Sequence, residues 1–317
     1  MADAPAAGDR TDTGRAGGGR PDGEHAAEPI RGAPLAKTIR AQVAAVIAER
    51  RLIPCLVNVV VGDSEASASY LDAIDRTAAK LGIETRRAEL PGSSGTAHVV
   101  DAVTRLGADR GVHGLMVQFP LPRDVDGRRV AAALPPDKDV DGLTEAALGA
   151  VLAGRRRHTA PCTAAAVAEL LASDPRLDPA GKDIVIVGRS LVVGRPLAAM
   201  LAAPAPGGHA TVSLCHTRTR DLPAHTRRAD IVVVAAGVAG LLTPDMLRPG
   251  AIVVDVGTHP QKAADGSWTL VGDVHPAVAR VAALLTPVPG GVGPVTNAVL
   301  MRHVTAAAAA GYLPAAW

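Results

Sequence analysis

The sequence predicts an α/β protein, built on a mainly parallel sheet covered by helices and long enough for two domains. Three observations carry this. The chain has 317 residues, beyond the roughly 100–200 of a typical domain. Short apolar strands alternate with segments of helical period. One of those strands also runs straight into a glycine loop that opens a helix.

Residues 1 to about 30 are rich in Ala, Gly, Asp and Arg without periodicity and read as a disordered extension. Leu35 to Arg51 then places apolar residues at Leu35, Ile39, Val43 and Val46/Ile47, near the 3.6-residue helical repeat. CLVNVVVG (55–62) is a β-branched strand closed by glycine. Ser64 to Leu81 is helical again, with Gly82 as its stop. A strand at 84–90 and a helix at 97–107 follow, and the apolar run GLMVQF (114–119) is broken by PLP. A helix near 127–134 leads into PPDKDVDG (135–142). Between 145 and 180 the pattern loosens, and GRRRH (154–158) reads as a solvated loop. A second alternating block begins at GKDIVIVGRS (181–190) and continues through TVSLC (211–215), DIVVVAA (230–236) and AIVVDVG (251–257). These strands lie about 20 residues apart, the rhythm of a dinucleotide-binding fold. The loop TPVPGGVGP (286–294) precedes a helix from about 296 to 310.

Composition excludes several functions. Lysine and arginine (33) nearly cancel the acids (31), which leaves no global electrostatic footprint for nucleic acid. Aromatics at 2% cannot build a stacking platform for single strands. Cys55, Cys162 and Cys215 lie far apart without a CxxC pair, against a disulfide framework or structural zinc. The histidines show no metal-ligand spacing. Cys215 and His216 are adjacent at a strand end and point to opposite faces, so they make no nucleophile–base pair. The longest strongly apolar stretch, Ile231 to Leu242, has 12 residues, whereas a membrane span needs about 20. The N-terminus lacks the apolar core of a secretory signal. The expectation is a cytoplasmic protein with neither nucleic acid nor membrane as partner.

IVIVGRSLVVGRP (184–196) joins strand to helix through Gly188 and Gly194. A helix N-terminus offers unpaired N–H groups and a positive dipole end, and glycines let a phosphate approach the backbone. The spacing departs from G-x-G-x-x-G, and a plain glycine turn would also explain it. The strands before and after favour the phosphate site. The next strand ends CHTRTR (215–220), placing His216, Thr217 and Arg218 where an NAD-specific fold puts an acid. With Arg189 in the glycine loop, that is chemistry for a 2′-phosphate and favours NADP over NAD, the alternative being a solvated arginine surface.

VGDSEASASY (61–70), VQFPLP (117–122), DKDVDG (137–142), PCT (161–163), GRSLVVGRP (188–196), DVG (255–257), GDV (272–274) and TPVPGGVGP (286–294) occur in one order. Together they resemble the methylenetetrahydrofolate dehydrogenase/methenyltetrahydrofolate cyclohydrolase family over roughly residues 33 to 312. The resemblance implies two α/β lobes with a folate cleft between them. An α/β folate/catalytic domain would comprise 31–163 plus 296–317, with the C-terminal helix returning to the first lobe, and a Rossmann-like NADP-binding domain would span 164–295. It further implies a homodimer that oxidises 5,10-methylenetetrahydrofolate with NADP (or NAD). Many members then hydrolyse the methenyl product to 10-formyltetrahydrofolate.

Residue by residue, Tyr70 matches the tyrosine that packs on the folate rings, and Gln118 the glutamine of the catalytic centre. Asp141 matches the carboxylate that binds the pterin-like head. Val117 and Phe119 flank Gln118 among the substrate contacts, and Pro289, Gly290, Gly291, Val292 and Gly293 match the loop lining the substrate. Gly188, Arg189, Ser190, Gly194, Thr217 and Arg218 fall where NADP is held, with Thr258 after DVG at another cofactor contact. Read without the family, Tyr70, Gln118 and Asp141 would each pass for structural residues.

One position departs. The family's catalytic lysine lies four residues after the tyrosine, one helical turn on, so that both side chains face the cleft. Here that substrate-facing position is Ile74. The chain has five lysines: Lys37, Lys80, Lys138, Lys182 and Lys262. Lys80 is about 240° round the helix from position 74. Arg76 is about 200° away, and its guanidinium stays protonated. Lys138 belongs to DKDVDG, where the family has a lysine too. Hydrolysis needs protons moved, whereas hydride transfer depends on holding the methylene carbon against the nicotinamide. The expectation is an NADP-dependent dehydrogenase with cyclohydrolase activity lost or severely reduced. The alternatives are a paralogue retuned to another folate form and a non-catalytic folate/NADP-binding protein.

Overall fold

Alternating strands and helices build two parallel sheets. The computed structural model describes residues 26–62, 65–155, 160–262 and 268–309. The first half runs β1 (Glu28–Pro29), α1 (Ala33–Arg50), β2 (Cys55–Val61), α2 (Glu65–Leu81), β3 (Glu84–Leu90), α3 (Thr96–Ala108), β4 (Gly114–Val117) and α4 (Gly127–Ala132). Strands β3-β2-β4 pair in that order as a parallel sheet. Strand β2 is covered on both faces: Leu56 packs into one core cluster, Cys55, Val57 and Val59 into another. Its sequence is therefore apolar at every position but Asn58, rather than alternating.

Helices α5 (Glu145–Leu152) and α6 (Cys162–Ala172) lead to β5 (Asp183–Val187), α7 (Gly194–Ala202), β6 (Thr211–Cys215), α8 (Leu222–Thr226), β7 (Ile231–Val234) and β8 (Ile252–Asp255). The antiparallel pair β9 (His259–Lys262) and β10 (Trp268–Val271), then β11 (Leu284–Leu285) and α9 (Val292–Ala308), complete the chain. The second sheet is six-stranded, in the order β1-β11-β8-β7-β5-β6, with every pair parallel. No helix among the described residues is long and apolar enough to cross a membrane.

Two helices were not legible in the sequence. Residues 145–180, where periodicity fades, hold α5 and α6. In α6 every residue from Ala164 to Leu171 is buried, because it packs against both α7 and α9. A helix enclosed all round shows no polar stripe and hence no 3.6-residue signal. Helix α5 starts at Thr144, whose Oγ accepts from the Ala147 N–H at 3.2 Å. The other difference is β1, inside the segment read as an extension. The Ala27 N–H donates to the Ala279 carbonyl at 2.6 Å, and Glu28–Pro29 pairs with Leu284–Leu285. Two residues are too few to show a strand pattern. The rest of that segment (1–25), the loop residues 156–158 and the end of the C-terminal helix at 310 lie outside the described residues.

Helix α9 starts four residues earlier than expected, directly from the glycine loop, and is buried from Val295 to Ala306. It packs against α1 and α6, so the C-terminal helix does return to the first lobe. The domain boundary expected at 163/164 falls inside α6. One core cluster runs through both sheets, joining Ile39 and Leu56 to Ile184, Ile186 and Val233 by way of α9.

Asn58, in the middle of β2, is fully buried, and neither atom of its amide has a partner. An unpaired buried amide costs about 1–3 kcal/mol. Asn58→Leu keeps the heavy-atom skeleton and removes the polar atoms. Thermal unfolding followed by circular dichroism should show a midpoint a few degrees higher, since about 1 kcal/mol moves it about 2–4 °C in a chain approaching this size. An unchanged or lower midpoint would mean the amide has a partner in solution.

Candidate functional site

The first group of site residues collects at the end of β4. The Gln118 N–H extends the ladder by donating to the Val59 carbonyl at 2.9 Å, and its side-chain Nε2 donates to the Phe119 carbonyl at 3.1 Å. The DKDVDG segment runs beside β4: the Leu115 N–H donates to the Lys138 carbonyl at 2.8 Å, and Leu115 bridges Asp139 in parallel. Beyond that bridge the segment turns away at 140–142, and Asp141 follows in the turn. Val117 is buried, and Phe119 is exposed with its ring over Gly127.

The two acids of this segment do different things. Asp139 is fully buried. Its Oδ1 accepts from the Gly142 and Leu143 N–H groups at 2.9 and 3.1 Å, and Oδ2 from Thr144 at 2.7 Å. It is the knot of its own loop. Asp141 is half-buried and takes no part in that knot. Burial first, and then the neighbouring Asp139 charge, push its carboxyl up to about 7, against a hydrogen bond from Cys162 that lowers it. Tyr70, on α2, keeps 40% of its surface open. Its phenol is pushed well above the ordinary range by burial of the hydroxyl end, and further by Asp141 and Cys162. Tyr70, Asp141 and Cys162 are thus one cluster.

Ile74 is 0% exposed and packs in the core. No lysine replaces it. Lys138 Nζ donates to the Asp109 carbonyl at 2.6 Å, and Lys182 Nζ to Arg176 at 3.3 Å. Lys37, Lys80 and Lys262 are exposed, as is Arg76.

The loop after β11 ties the sheets together. The Gly291 N–H donates to Pro287 at 2.8 Å, and the Gly32 N–H to the Gly290 carbonyl at 3.0 Å. Gly290 has φ +110°, a left-handed conformation that favours glycine. Gly291 and Val292 are buried, whereas Pro289 and Gly293 face outward.

The second group lies along the carboxyl edge of the larger sheet. Gly188 follows β5, Thr217 and Arg218 follow β6, and Thr258 follows β8; Arg189, Ser190, Thr217, Arg218 and Thr258 are all exposed. Strand β5 has β6 on one side and β7 on the other, which makes its end the topological switch point where dinucleotides bind. The crowding there is severe. Gly188 has φ +129°, and a Cβ on it would strike the Ala235 carbonyl after β7. A Cβ on Gly194 would strike the Gly188 carbonyl. The Ser190 Oγ accepts from the Val193 N–H at 3.0 Å and shapes the turn into α7. The residues present therefore fit a dinucleotide: a bare backbone, an open helix N-terminus and exposed cationic side chains.

Some structural roles were missed. Asp255 of DVG accepts from Gly257, Asp273 and Val274 N–H groups at 2.9–3.0 Å, and burial lifts it to about 6. Asp273 of GDV accepts from Ala236 and Gly237 at 2.6 and 2.9 Å and meets His259 at 2.7 Å. These motifs fasten the ends of β7 and β8 rather than supply chemistry. Cys215, whose thiol burial pushes up, is likewise structural. A groove of about 410 Å³ beside α1 and α6, lined by Ile30, Leu35, Leu170 and Arg176, includes none of the site residues.

A parallel sheet with a glycine-lined switch point, joined by one helix to a smaller α/β lobe carrying a polar cluster, defines an α/β dinucleotide-binding protein of two lobes. Comparison with known proteins gives the particular family. The family model "Tetrahydrofolate dehydrogenase/cyclohydrolase, catalytic domain" matches residues 30–141, and the corresponding "NAD(P)-binding domain" matches 161–311. The chain belongs to the tetrahydrofolate dehydrogenase/cyclohydrolase family. It is 40% identical over 288 residues to the bifunctional protein FolD of Syntrophobacter fumaroxidans, covering 89% of this chain and 97% of that one. To FolD 1 of Salinispora tropica it is 42% identical over 285 residues, covering 89% and 91%. The Trypanosoma brucei methylenetetrahydrofolate dehydrogenase-cyclohydrolase, solved with NADP and an inhibitor, superposes with a TM-score of 0.82 at 35% identity, covering 90% of this chain and 98% of that one.

Proposed function

We propose that the chain, as a homodimer, oxidises 5,10-methylenetetrahydrofolate to the 5,10-methenyl form with NADP, and that hydrolysis to 10-formyltetrahydrofolate is lost or severely reduced. The observation that carries this reading is a complete polar cluster and glycine cradle alongside a fully buried isoleucine where the family resemblance places lysine. The folate lobe is 31–163 plus 296–317, and the cofactor lobe 164–295.

Each residue then has a task. The Asp141 carboxylate accepts from the N–H donors of the pterin-like head, which fixes the ring system, and the open face of Tyr70 packs against it. Gln118, its rotamer held by the Phe119 carbonyl, is the glutamine of the catalytic centre. The loop Pro289–Gly293 lines the substrate. Gly188 and Gly194 give a pyrophosphate room at the N-terminus of α7, and Arg189, Ser190, Thr217, Arg218 and Thr258 border the rest of the nucleotide. NADP held by these residues would supply the acceptor for the hydride of the methylene carbon. That transfer leaves a methenyl cation and moves no proton, so it makes no demand on an acid/base at position 74. Hydrolysis adds water and must shed and relocate protons, which isoleucine cannot do.

Spectrophotometric turnover with 5,10-methylenetetrahydrofolate, run in parallel with NADP and NAD, tests the reading, and light scattering of the same preparation gives the subunit count. No turnover with either cofactor at saturation would withdraw the dehydrogenase assignment. The cofactor preference has its own variant. The turn carrying Arg218 is fixed by its N–H donating to His216 Nδ1 at 3.1 Å, and by the His216 N–H donating to Thr219 Oγ at 2.8 Å. Arg218→Ser should lower kcat/KM with NADP by about 10–100-fold, the size of losing a charge-assisted hydrogen bond, and leave NAD unaffected. Equal losses with both cofactors would remove Arg218 from the 2′-phosphate site.

A further inference from the structure

Behind Asp141 lies a buried group that the proposed reaction does not use. His303, on α9, is 4% exposed, and Cys162, the first residue of α6, is 1% exposed. His303 Nδ1 stands 2.9 Å from the Val140 carbonyl oxygen, Cys162 Sγ stands 3.2 Å from the same oxygen, and the two side chains are 3.4 Å apart. Three elements distant in sequence therefore converge on the peptide that carries Asp141.

The geometry decides the protons. A ring nitrogen 2.9 Å from a carbonyl oxygen must bear hydrogen, because two lone pairs at that distance repel. His303 Nδ1 is thus the donor to Val140, and it cannot accept from the thiol. The Cys162 S–H must donate to an oxygen: the Val140 carbonyl or the Asp141 carboxyl beside it. The thiol keeps its proton, since burial and the nearby Asp141 charge push it well up.

We propose that Cys162 and His303 are positioning residues that grip the Val140 carbonyl and so hold Asp141 in register for the folate head. The inference deepens the reading above and rests on it. Charged and titratable groups face the cluster from several elements. Asp139 shares the loop and opposes ionisation of Asp141. Tyr70 faces it from α2 as a neutral phenol. Arg302, one residue before His303, is paired with Glu169 of α6. The Cys162 donor is the contribution that favours the carboxylate.

The sign follows. Asp141 lies near 7 with its donor in place. Folate binding that needs the carboxylate should weaken as pH falls through that value, and removing a donor moves the weakening to higher pH. Tetrahydrofolate affinity, measured anaerobically by calorimetry between about pH 6 and about pH 8.5, should show this in wild type. In Cys162→Ala the acid-side Kd should rise about tenfold further, the size of one hydrogen bond to a charged group. In His303→Leu, which releases the Val140 carbonyl, Kd should rise about tenfold across the whole pH range. His303→Asn, whose amide N–H can reach the same carbonyl, should restore the wild-type profile, and NADP affinity should be unchanged in all three. If the wild type binds but the variants leave its affinity and pH profile in place, the inference is overturned while the site stands. If the wild type binds no tetrahydrofolate at any pH, the site assignment itself fails and the inference goes with it. Should His303→Leu not fold, Cys162→Ala decides alone.

Discussion

Supplied with 5,10-methylenetetrahydrofolate and NADP, the purified protein is expected to accumulate the methenyl compound, and Ile74→Lys to carry it on to the formyl product. Position 74 lies one turn beyond Tyr70 on α2, and its side chain is wholly enclosed. An ammonium cannot rest among aliphatic neighbours. The introduced lysine must extend its four-carbon stem toward the cleft beside Tyr70 and Asp141, or lose its proton in place. Either outcome supplies what isoleucine lacks, a group that can carry a proton, and partial burial brings its exchange toward neutrality. A positioned acid/base is worth about 10²–10⁴-fold, so hydrolysis should rise by that order. The variant should also melt lower, because a buried amine that finds no partner costs stability. Ile74→Met, similar in length but without a proton, is the control and should leave hydrolysis at the wild-type level. Efficient hydrolysis by the wild type would refute the proposed loss of that step. A folded, folate-binding Ile74→Lys without hydrolysis would move the defect elsewhere in the cleft.

Where sequence reasoning succeeded, the local pattern is set by burial that the chain itself encodes. Strands β2 and β5 are sandwiched between helices, so each appears as a β-branched-rich run on both faces with a glycine beyond it. Gly188 and Gly194 were legible because a backbone that must pass within contact distance of another tolerates no Cβ, and a strand led into them. What stayed hidden depends on contacts no local window contains. Helix α6 lost its periodicity because α9 and α7 enclose it. Asp139 and Asp141 are the same residue type two positions apart, and only the fold shows that the first is turned back into its own loop. The family resemblance pointed to the second without giving that reason. Cys162 and His303 are separated by 141 residues, and PCT drew notice as a motif while His303 drew none.

The helices that bring Cys162 and His303 together are themselves joined by the molecule's most enclosed ion pair among the described residues, and cutting one side of it should have the largest effect on stability. Glu169 of α6 and Arg302 of α9 are 7% and 10% exposed at their side chains. The guanidinium donates through Nη1 at 2.9 Å to one carboxylate oxygen and through Nη2 to the other, a bidentate pair. Arg302→Met keeps the stem's packing but strands a carboxylate in the interior, at a cost of about 3–5 kcal/mol. Chemical unfolding should show that deficit. It should shrink in acid, because protonating the stranded group removes the buried charge, so the variant's stability falls as pH rises. Glu169→Leu combined with Arg302→Met removes both charges and should recover most of the loss, for an apolar replacement of a buried pair is often neutral or better. A double variant no more stable than Arg302→Met would mean that the pair is worth more than its desolvation. The same single variant should also weaken tetrahydrofolate binding more than NADP binding, since it loosens α9 against α6 at the residue next to His303. A pair that served stability alone would lower both affinities equally or neither.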